Sequence, residues 1–203
     1  TQMLESMTAQ ARPTRAEATD VANAILDGTD CVMLSEESAM GHNPANAVKM
    51  LAKIATATEP HRNISQIREN LHHYDHEKDQ RLAGLISRAI AQMTSHLNPS
   101  LILIPTTSGH TARMISRFKL PTWIASVSIN PQTSHGTQFS YGIHPVNIQE
   151  YPKDWPQYVQ QWMQSQNLPP GQAILTKGPS SQNPNANPSL EIIPYPQQNQ
   201  LTP

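Results

Sequence analysis

Leu101-Ile102-Leu103-Ile104, then Thr106-Thr107-Ser108-Gly109-His110-Thr111, is the stretch on which the reading of this chain turns. Four apolar residues in a row, with no polar alternation, suit a strand buried on both faces, as in a parallel sheet. A Ser/Thr/Gly loop follows, then a helical pattern through Ala112, Met114 and Ile115. Moving outward, the alternation repeats. Trp123-Ile124-Ala125-Ser126-Val127 reads as the next strand, a weaker helical stretch follows, and His144-Pro145-Val146-Asn147-Ile148 reads as a third strand. Residues 154–167 read as a helix with Trp155, Tyr158, Val159 and Trp162 on one side. Ala173-Ile174-Leu175-Thr176 and Leu190-Glu191-Ile192-Ile193 are the last strands, and the polar loop between them predicts that the final one is antiparallel. Upstream, Leu82, Leu85, Ile86, Ala89, Ile90 and Met93 mark a helix face that ends near Asn98-Pro99. Strands alternating with helices predict a three-layer α/β domain with a mostly parallel sheet over residues 79–196. A disordered tail, 197–203, is expected where Pro and Gln dominate.

Residues 1–59 carry a second pattern. Thr14-Arg15-Ala16-Glu17 fits a capping box, in which hydroxyl and carboxylate satisfy each other's backbone N–H groups. Val21, Ala24 and Ile25 supply an apolar stripe, and Gly28 ends the helix. Cys31-Val32-Met33-Leu34 has the pattern of another buried strand. Asn43-Pro44 starts a second helix, whose buried stripe is Ala47, Val48, Leu51, Ile54 and Ala55. That is one and a half βα units, too little to close a core alone. Residues 60–78, with Pro60, His72, His73 and His76 among several charges, read as a linker.

The whole chain has 203 residues, a formal net charge of −1 and one cysteine. Cys31 alone excludes an internal disulfide, and the near-neutral charge argues against charge-driven binding of nucleic acid. No apolar run is long enough for a membrane helix, and no basic region followed by an apolar stretch marks a signal peptide, so a cytoplasmic chain is expected. Charge is uneven: residues 1–100 hold 12 Asp+Glu and 9 Lys+Arg, residues 101–203 only 3 and 5. The second half is also Pro-rich, with 13 of the 18 prolines at or after Pro121. The start, Thr1-Gln2-Met3-Leu4, reads as if something upstream had been cut away.

Two places could carry chemistry. Thr106 through Thr111 lie at the carboxyl end of a strand, where open α/β sheets bind ligands. Hydroxyls and backbone N–H groups there suit an anion, and Gly109 allows close approach. The pattern fits a hydroxyl-rich helix cap with nothing bound equally well. Ser35-Glu36-Glu37-Ser38 follows the run 31–34, and the simpler reading is a solvated loop that opens a helix. His72 and His76 are four apart but sit in the linker, so no metal site is assigned. Cys31 reads as a small core residue, and Trp155 and Trp162 as core.

Thr1-Gln2-Met3-Leu4-Glu5-Ser6-Met7, Arg12-Pro13-Thr14-Arg15-Ala16-Glu17, Asp20-Val21-Ala22-Asn23-Ala24, Asp27-Gly28-Thr29-Asp30 and Val32-Met33-Leu34-Ser35, in this order and spacing, closely resemble the pyruvate kinase family. The likeness continues through Thr107-Ser108-Gly109-His110-Thr111-Ala112 and Leu175-Thr176-Lys177-Gly178-Pro179. It implies that residues 1–59 are the end of a (β/α)8 TIM barrel and residues 79–196 a C-terminal allosteric α/β domain, with the earlier strands and lid domain missing. The activity implied is phosphoryl transfer from phosphoenolpyruvate to ADP, giving pyruvate and ATP.

By the same resemblance, Thr1 ends the seventh barrel strand and lies near the enolate face of the substrate. Ser35 and Glu37 match the Ser and Glu of a Ser-Gly-Glu-Thr loop at the active-site rim, with Glu36 where the family has a small residue. Thr106, Thr107, Ser108, Gly109, His110 and Thr111 match the loop that grips an effector phosphate. Thr107 stands where fructose-bisphosphate-regulated animal members have a lysine, and His110 replaces an arginine. A different phosphosugar or nucleotide effector, or weaker binding, is implied. Mg²⁺ and K⁺ serve the family, but their ligands lie on earlier strands, so no metal ligand is expected here and no kinase activity from these residues alone. A homo-oligomer is implied for the complete enzyme, without nucleic acid or membrane. The alternatives are a stand-alone effector-binding or interaction module that has lost catalysis, and a split enzyme completed by another chain. Residues 1–59 are expected to expose apolar surface around Ile25, Val32, Leu34 and Leu51.

Overall fold

A computed structural model of the chain describes residues 1–62, 82–178 and 187–195. They fall in two compact units, Thr1–Gln66 and Ile67–Pro203. Most of the expected linker, the start of the helix predicted from residue 79 and the expected tail lie outside the described residues.

Among its described residues the first unit is built from short helices. A 3-10 turn, Glu5–Thr8, precedes α1 (Arg15–Leu26), α2 (Glu36–Ala39) and α3 (Pro44–Thr58), and a second 3-10 turn spans Glu59–His61. The capping box forms: Thr14 accepts from the Glu17 N–H, and the Glu17 carboxylate accepts from the Thr14 N–H. Gly28, at φ 81°, turns the chain out of α1 where a side chain would be strained. Asn43 caps α3 by accepting from the Asn46 N–H, with Pro44 at the first position. Leu4, Met7, Val21 and Ala47 are fully buried, with Met3, Leu34, Met50, Leu51 and Ile54 packed around them.

Three expectations are corrected here. Residues 31–34 form no strand, because a strand exists only through a neighbour's N–H and C=O groups and the unit's described residues include no neighbouring strand. Cys31 is exposed rather than core. Ile25, Val32, Leu34 and Leu51 are half-buried, and the apolar side chains that face solvent are Met33, Met40 and Val48, the last expected inside.

The second unit is a five-stranded sheet. Its elements are α4 (Leu82–Leu97), β1 (Leu101–Pro105), α5 (His110–Ser116), β2 (Ile124–Ser128), α6 (Pro131–Thr137), β3 (Ile143–Asn147), α7 (Trp155–Ser165), β4 (Gly171–Lys177) and β5 (Ser189–Tyr195). The strand order is β3-β2-β1-β4-β5; the first four are parallel and β5 pairs antiparallel with β4. Alternate residues of the strands build two cores. Ile102, Ile104, Ile124 and Ile174 pack with Ile90, Ala91, Ala112 and Ile115 of α4 and α5. Leu101, Leu103, Ala125, Val127 and Leu175 pack with Val159 and Met163 of α7, flanked by Trp155, Tyr158 and Trp162. Helices therefore cover both faces, which is why β1 reads as an unbroken apolar run.

On α4 the buried face overlaps the apolar pattern only in part: Ile90 is buried and Ile86 and Met93 pack against the core, as marked. Gly84, Ser87, Ile90, Ala91 and Thr94 are buried, whereas Leu82 and Leu85 are about half exposed. The buried Ser87 and Thr94 hydroxyls are satisfied within the helix, donating to the carbonyls of Gly84 and Ile90.

Candidate functional site

The loop 106–109 leaves the carboxyl end of central strand β1. Its first residue continues the sheet, since the Thr106 N–H donates to the Val127 carbonyl at 2.9 Å. The Thr106 hydroxyl then accepts from the Gly109 N–H at 2.9 Å, closing a tight turn. Gly109 adopts φ 73° and is buried; a Cβ there would meet Thr137 Cγ2 at 2.5 Å and Arg113 Nη1 at 2.8 Å. Only glycine satisfies both the backbone and the space. Thr107, Ser108 and His110 are exposed, Thr106 and Thr111 half-buried.

Three further residues shape this loop that the sequence patterns left out. Arg113 lies one helical turn after Gly109 and donates from Nη2 to the Ser108 carbonyl at 2.9 Å. Its spacing on α5 was a readable signal. Thr133 of α6 donates its hydroxyl to the Thr107 carbonyl at 2.7 Å, and the Tyr151 hydroxyl donates to the Thr106 carbonyl at 3.4 Å. Burial pushes the Tyr151 phenol up, against hydrogen bonds to the Ile129 backbone and the Ser128 hydroxyl that pull it down. These two come from distant segments, and no local pattern announces them. The outcome is a braced loop whose carbonyls are occupied by protein donors, with hydroxyls and one guanidinium on its rim.

The candidate residues of the first unit lie around Glu37. This side chain is only 1% exposed. Its Oε1 accepts from the Leu4 N–H at 2.9 Å, and its Oε2 from the Ser35 N–H at 2.6 Å. Burial pushes its pKa up, but the backbone donors outweigh burial and hold it below the ordinary carboxylate value, while the nearby Glu17 charge opposes them. The structure thus joins Ser35 and Glu37 to the segment that starts at Thr1. Thr1 itself is exposed.

Among the described residues no group of three or more His, Cys, Asp or Glu side chains is placed to hold a metal ion. Both Glu37 oxygens already serve backbone donors. These carboxylates do not fit an Mg²⁺ site.

A mostly parallel sheet with helices on both faces and a braced polar loop at the carboxyl end of its central strand defines the second unit as an open α/β domain. Two family models match the chain in series: the pyruvate kinase barrel domain over residues 1–48 and the pyruvate kinase alpha/beta domain over residues 85–191. The chain belongs to the pyruvate kinase family. Over 153 residues it is 44% identical to a pyruvate kinase of Thermococcus litoralis, covering 74% of this chain and 32% of that protein. It is 40% identical to pyruvate kinase 2 of Synechocystis over 153 residues, 75% of this chain and 24% of the relative. A solved structure of Cryptosporidium parvum pyruvate kinase in complex with ADP superposes with a TM-score of 0.83 and 29% identity, covering 96% of this chain and 40% of that one. The chain thus spans about a quarter to a third of the curated relatives it matches. No helix among the described residues is long and apolar enough to cross a membrane.

Proposed function

We propose that these residues serve a pyruvate kinase, which transfers the phosphoryl group of phosphoenolpyruvate to ADP. Residues 1–59 would be the end of its catalytic barrel, 60–78 a connection and 79–196 its allosteric domain. The observation that carries this reading is the two family models matched in series, barrel before α/β domain. In this reading Thr1 presents its hydroxyl to the enolate, Ser35 lies at the rim of the site, and Glu37 holds both segments. Phosphoryl transfer needs cations against the transferring group, and the described residues hold no group of three or more His, Cys, Asp or Glu side chains placed for a metal ion. A polypeptide of residues 1–203 by itself is therefore expected to form no ATP from phosphoenolpyruvate and ADP above a no-protein control. ATP formation by that polypeptide would overturn the expectation that residues 1–203 do not suffice for catalysis.

The loop 106–111 is proposed as the effector site, taking the phosphate of a sugar phosphate or nucleotide. Its exposed Thr107, Ser108 and His110, and Arg113 behind them, support this. Saturating ligand at about 100 times its Kd stabilises the folded state by about 2.7 kcal/mol, which a melting curve resolves. A rise in Tm with a sugar phosphate or AMP, lost in Ser108→Ala, is expected; no shift with any of them removes the effector reading. Assembly into a homo-oligomer in the cytoplasm completes the proposal for the whole enzyme.

A further inference from the structure

Residues 4–8 have no sheet to pair with among the described residues, yet the backbone donors of Leu4 and Ser6 are satisfied. The Leu4 N–H donates to Glu37, and the Ser6 N–H and hydroxyl donate to Oε1 and Oε2 of Glu17 at 2.7 and 2.6 Å. Each carboxylate also binds the start of its own helix: Glu17 accepts from the Thr14 N–H at 2.7 Å and Glu37 from the Ser35 N–H. Each therefore bridges the first segment to a helix N-terminus, Glu17 at α1 and Glu37 at α2. No Lys, Arg or His of the described residues pairs with either, although two like charges face each other here. A buried carboxylate without a cation is costly unless its oxygens are hydrogen-bonded. At Glu37 both are, by backbone N–H groups 33 and 2 residues away in sequence.

We propose that Glu37 and Glu17 are positioning residues: together they clasp the segment that begins at Thr1 to the loop that carries Ser35, so that these two segments keep a fixed separation. The link to catalysis rests on the kinase reading above; the clasp does not. Glu37 then acts through the Leu4 and Ser35 amides and touches no substrate.

Amide exchange and ¹H–¹⁵N spectra of the 203-residue chain test the clasp. In the wild type the Leu4, Ser6 and Ser35 amide protons are expected downfield, as donors to carboxylate. Glu37→Gln keeps one acceptor oxygen and turns the other into a donor. It should speed exchange at Leu4 or Ser35 roughly tenfold or more while Val21 stays protected. Unchanged exchange at both, or wild-type shifts without the downfield displacement, overturns the clasp. Should Glu37→Gln lose protection at Val21 as well, Ser6→Ala, which removes one donor to Glu17, replaces it: faster exchange at Ser6 supports the clasp, and unchanged exchange overturns it. In the complete kinase, Glu37→Gln should lower kcat on the order of tenfold with KM for phosphoenolpyruvate nearly unchanged. An inactive wild type defeats the kinase reading and leaves the clasp standing; an active wild type with full kcat in Glu37→Gln defeats the positioning role.

Discussion

In the second unit the central backbone is paired by backbone. Strands β1, β2 and β4 exchange hydrogen bonds in parallel register, with Ile102 opposite Ile124 on one side and Ile174 on the other. In the first unit the corresponding work falls to side chains. Leu4 is as fully buried as Ile102, but its N–H finds the Glu37 carboxylate. A sheet satisfies donors that do not titrate and spreads its hold over many residues. A carboxylate clasp concentrates the hold in two groups whose charge depends on pH. The difference teaches that the two regions should fail under different insults.

The largest effect is expected in the sheet. Leu103→Ala empties a fully buried site between β1 and α7 and should destabilise the second unit by about 2–5 kcal/mol, read as a lower urea midpoint from tryptophan fluorescence. A loss under about 1 kcal/mol would mean that this side of the core does not hold the sheet. Gly109→Ala comes next. It places a Cβ 2.5 Å from Thr137 Cγ2 at φ 73°, and about 1–3 kcal/mol is expected from the same measurement. Equal stability would show that the loop relaxes freely.

Acid should reverse the ranking of the two regions. Ser6 and Thr14 hold the Glu17 carboxyl down at about 2, against burial that raises it, from an ordinary 4.5. Between those values the unfolded chain carries more protons than the folded one, so this contribution is present above about pH 4.5 and is lost as pH falls through about 2. Glu37, also held below its ordinary value, adds in the same direction. Protection factors at Leu4 and Ser6 should therefore fall over that window before those at Leu103 and Ala125. Simultaneous loss would remove the distinction between the regions. The smallest effect belongs to Lys177→Ala at the β4–β5 edge. Its ammonium lies 2.8 Å from Glu191 with both side chains about a third exposed, so at most about 1 kcal/mol is expected, diminishing with salt.

Much of the second unit was legible because its strands are buried on both faces and its helices carry marked ends. Runs such as Leu101-Ile102-Leu103-Ile104 have one reading when flanked by helical periods, and the helix read over 154–167 forms as α7. The antiparallel final strand followed from the polar loop before it. The run 31–34 failed for the opposite reason: the same apolar pattern makes no strand where the described residues of its unit offer no neighbouring strand to bond. On α4 the pattern marked Ile86, Ile90 and Met93, which do meet the core, but missed the buried Gly84, Ser87, Ala91 and Thr94, because hydrophobicity does not register small and hydroxyl-bearing residues.

The polar residues divide the same way. The loop 106–111, Gly109 at its turn and the Thr14–Glu17 box are local: Thr106 bonds Gly109 and Thr14 bonds Glu17 across three residues, so the local pattern already carries them. Thr133 and Tyr151 behind the loop, and Glu37 beneath Leu4, pair across 26, 45 and 33 residues. Such pairs depend on how distant segments pack, because a hydrogen bond forms only when folding brings donor and acceptor within about 3 Å. Composition and spacing named the side chains able to bond; the packing of distant segments selects which backbone each one holds.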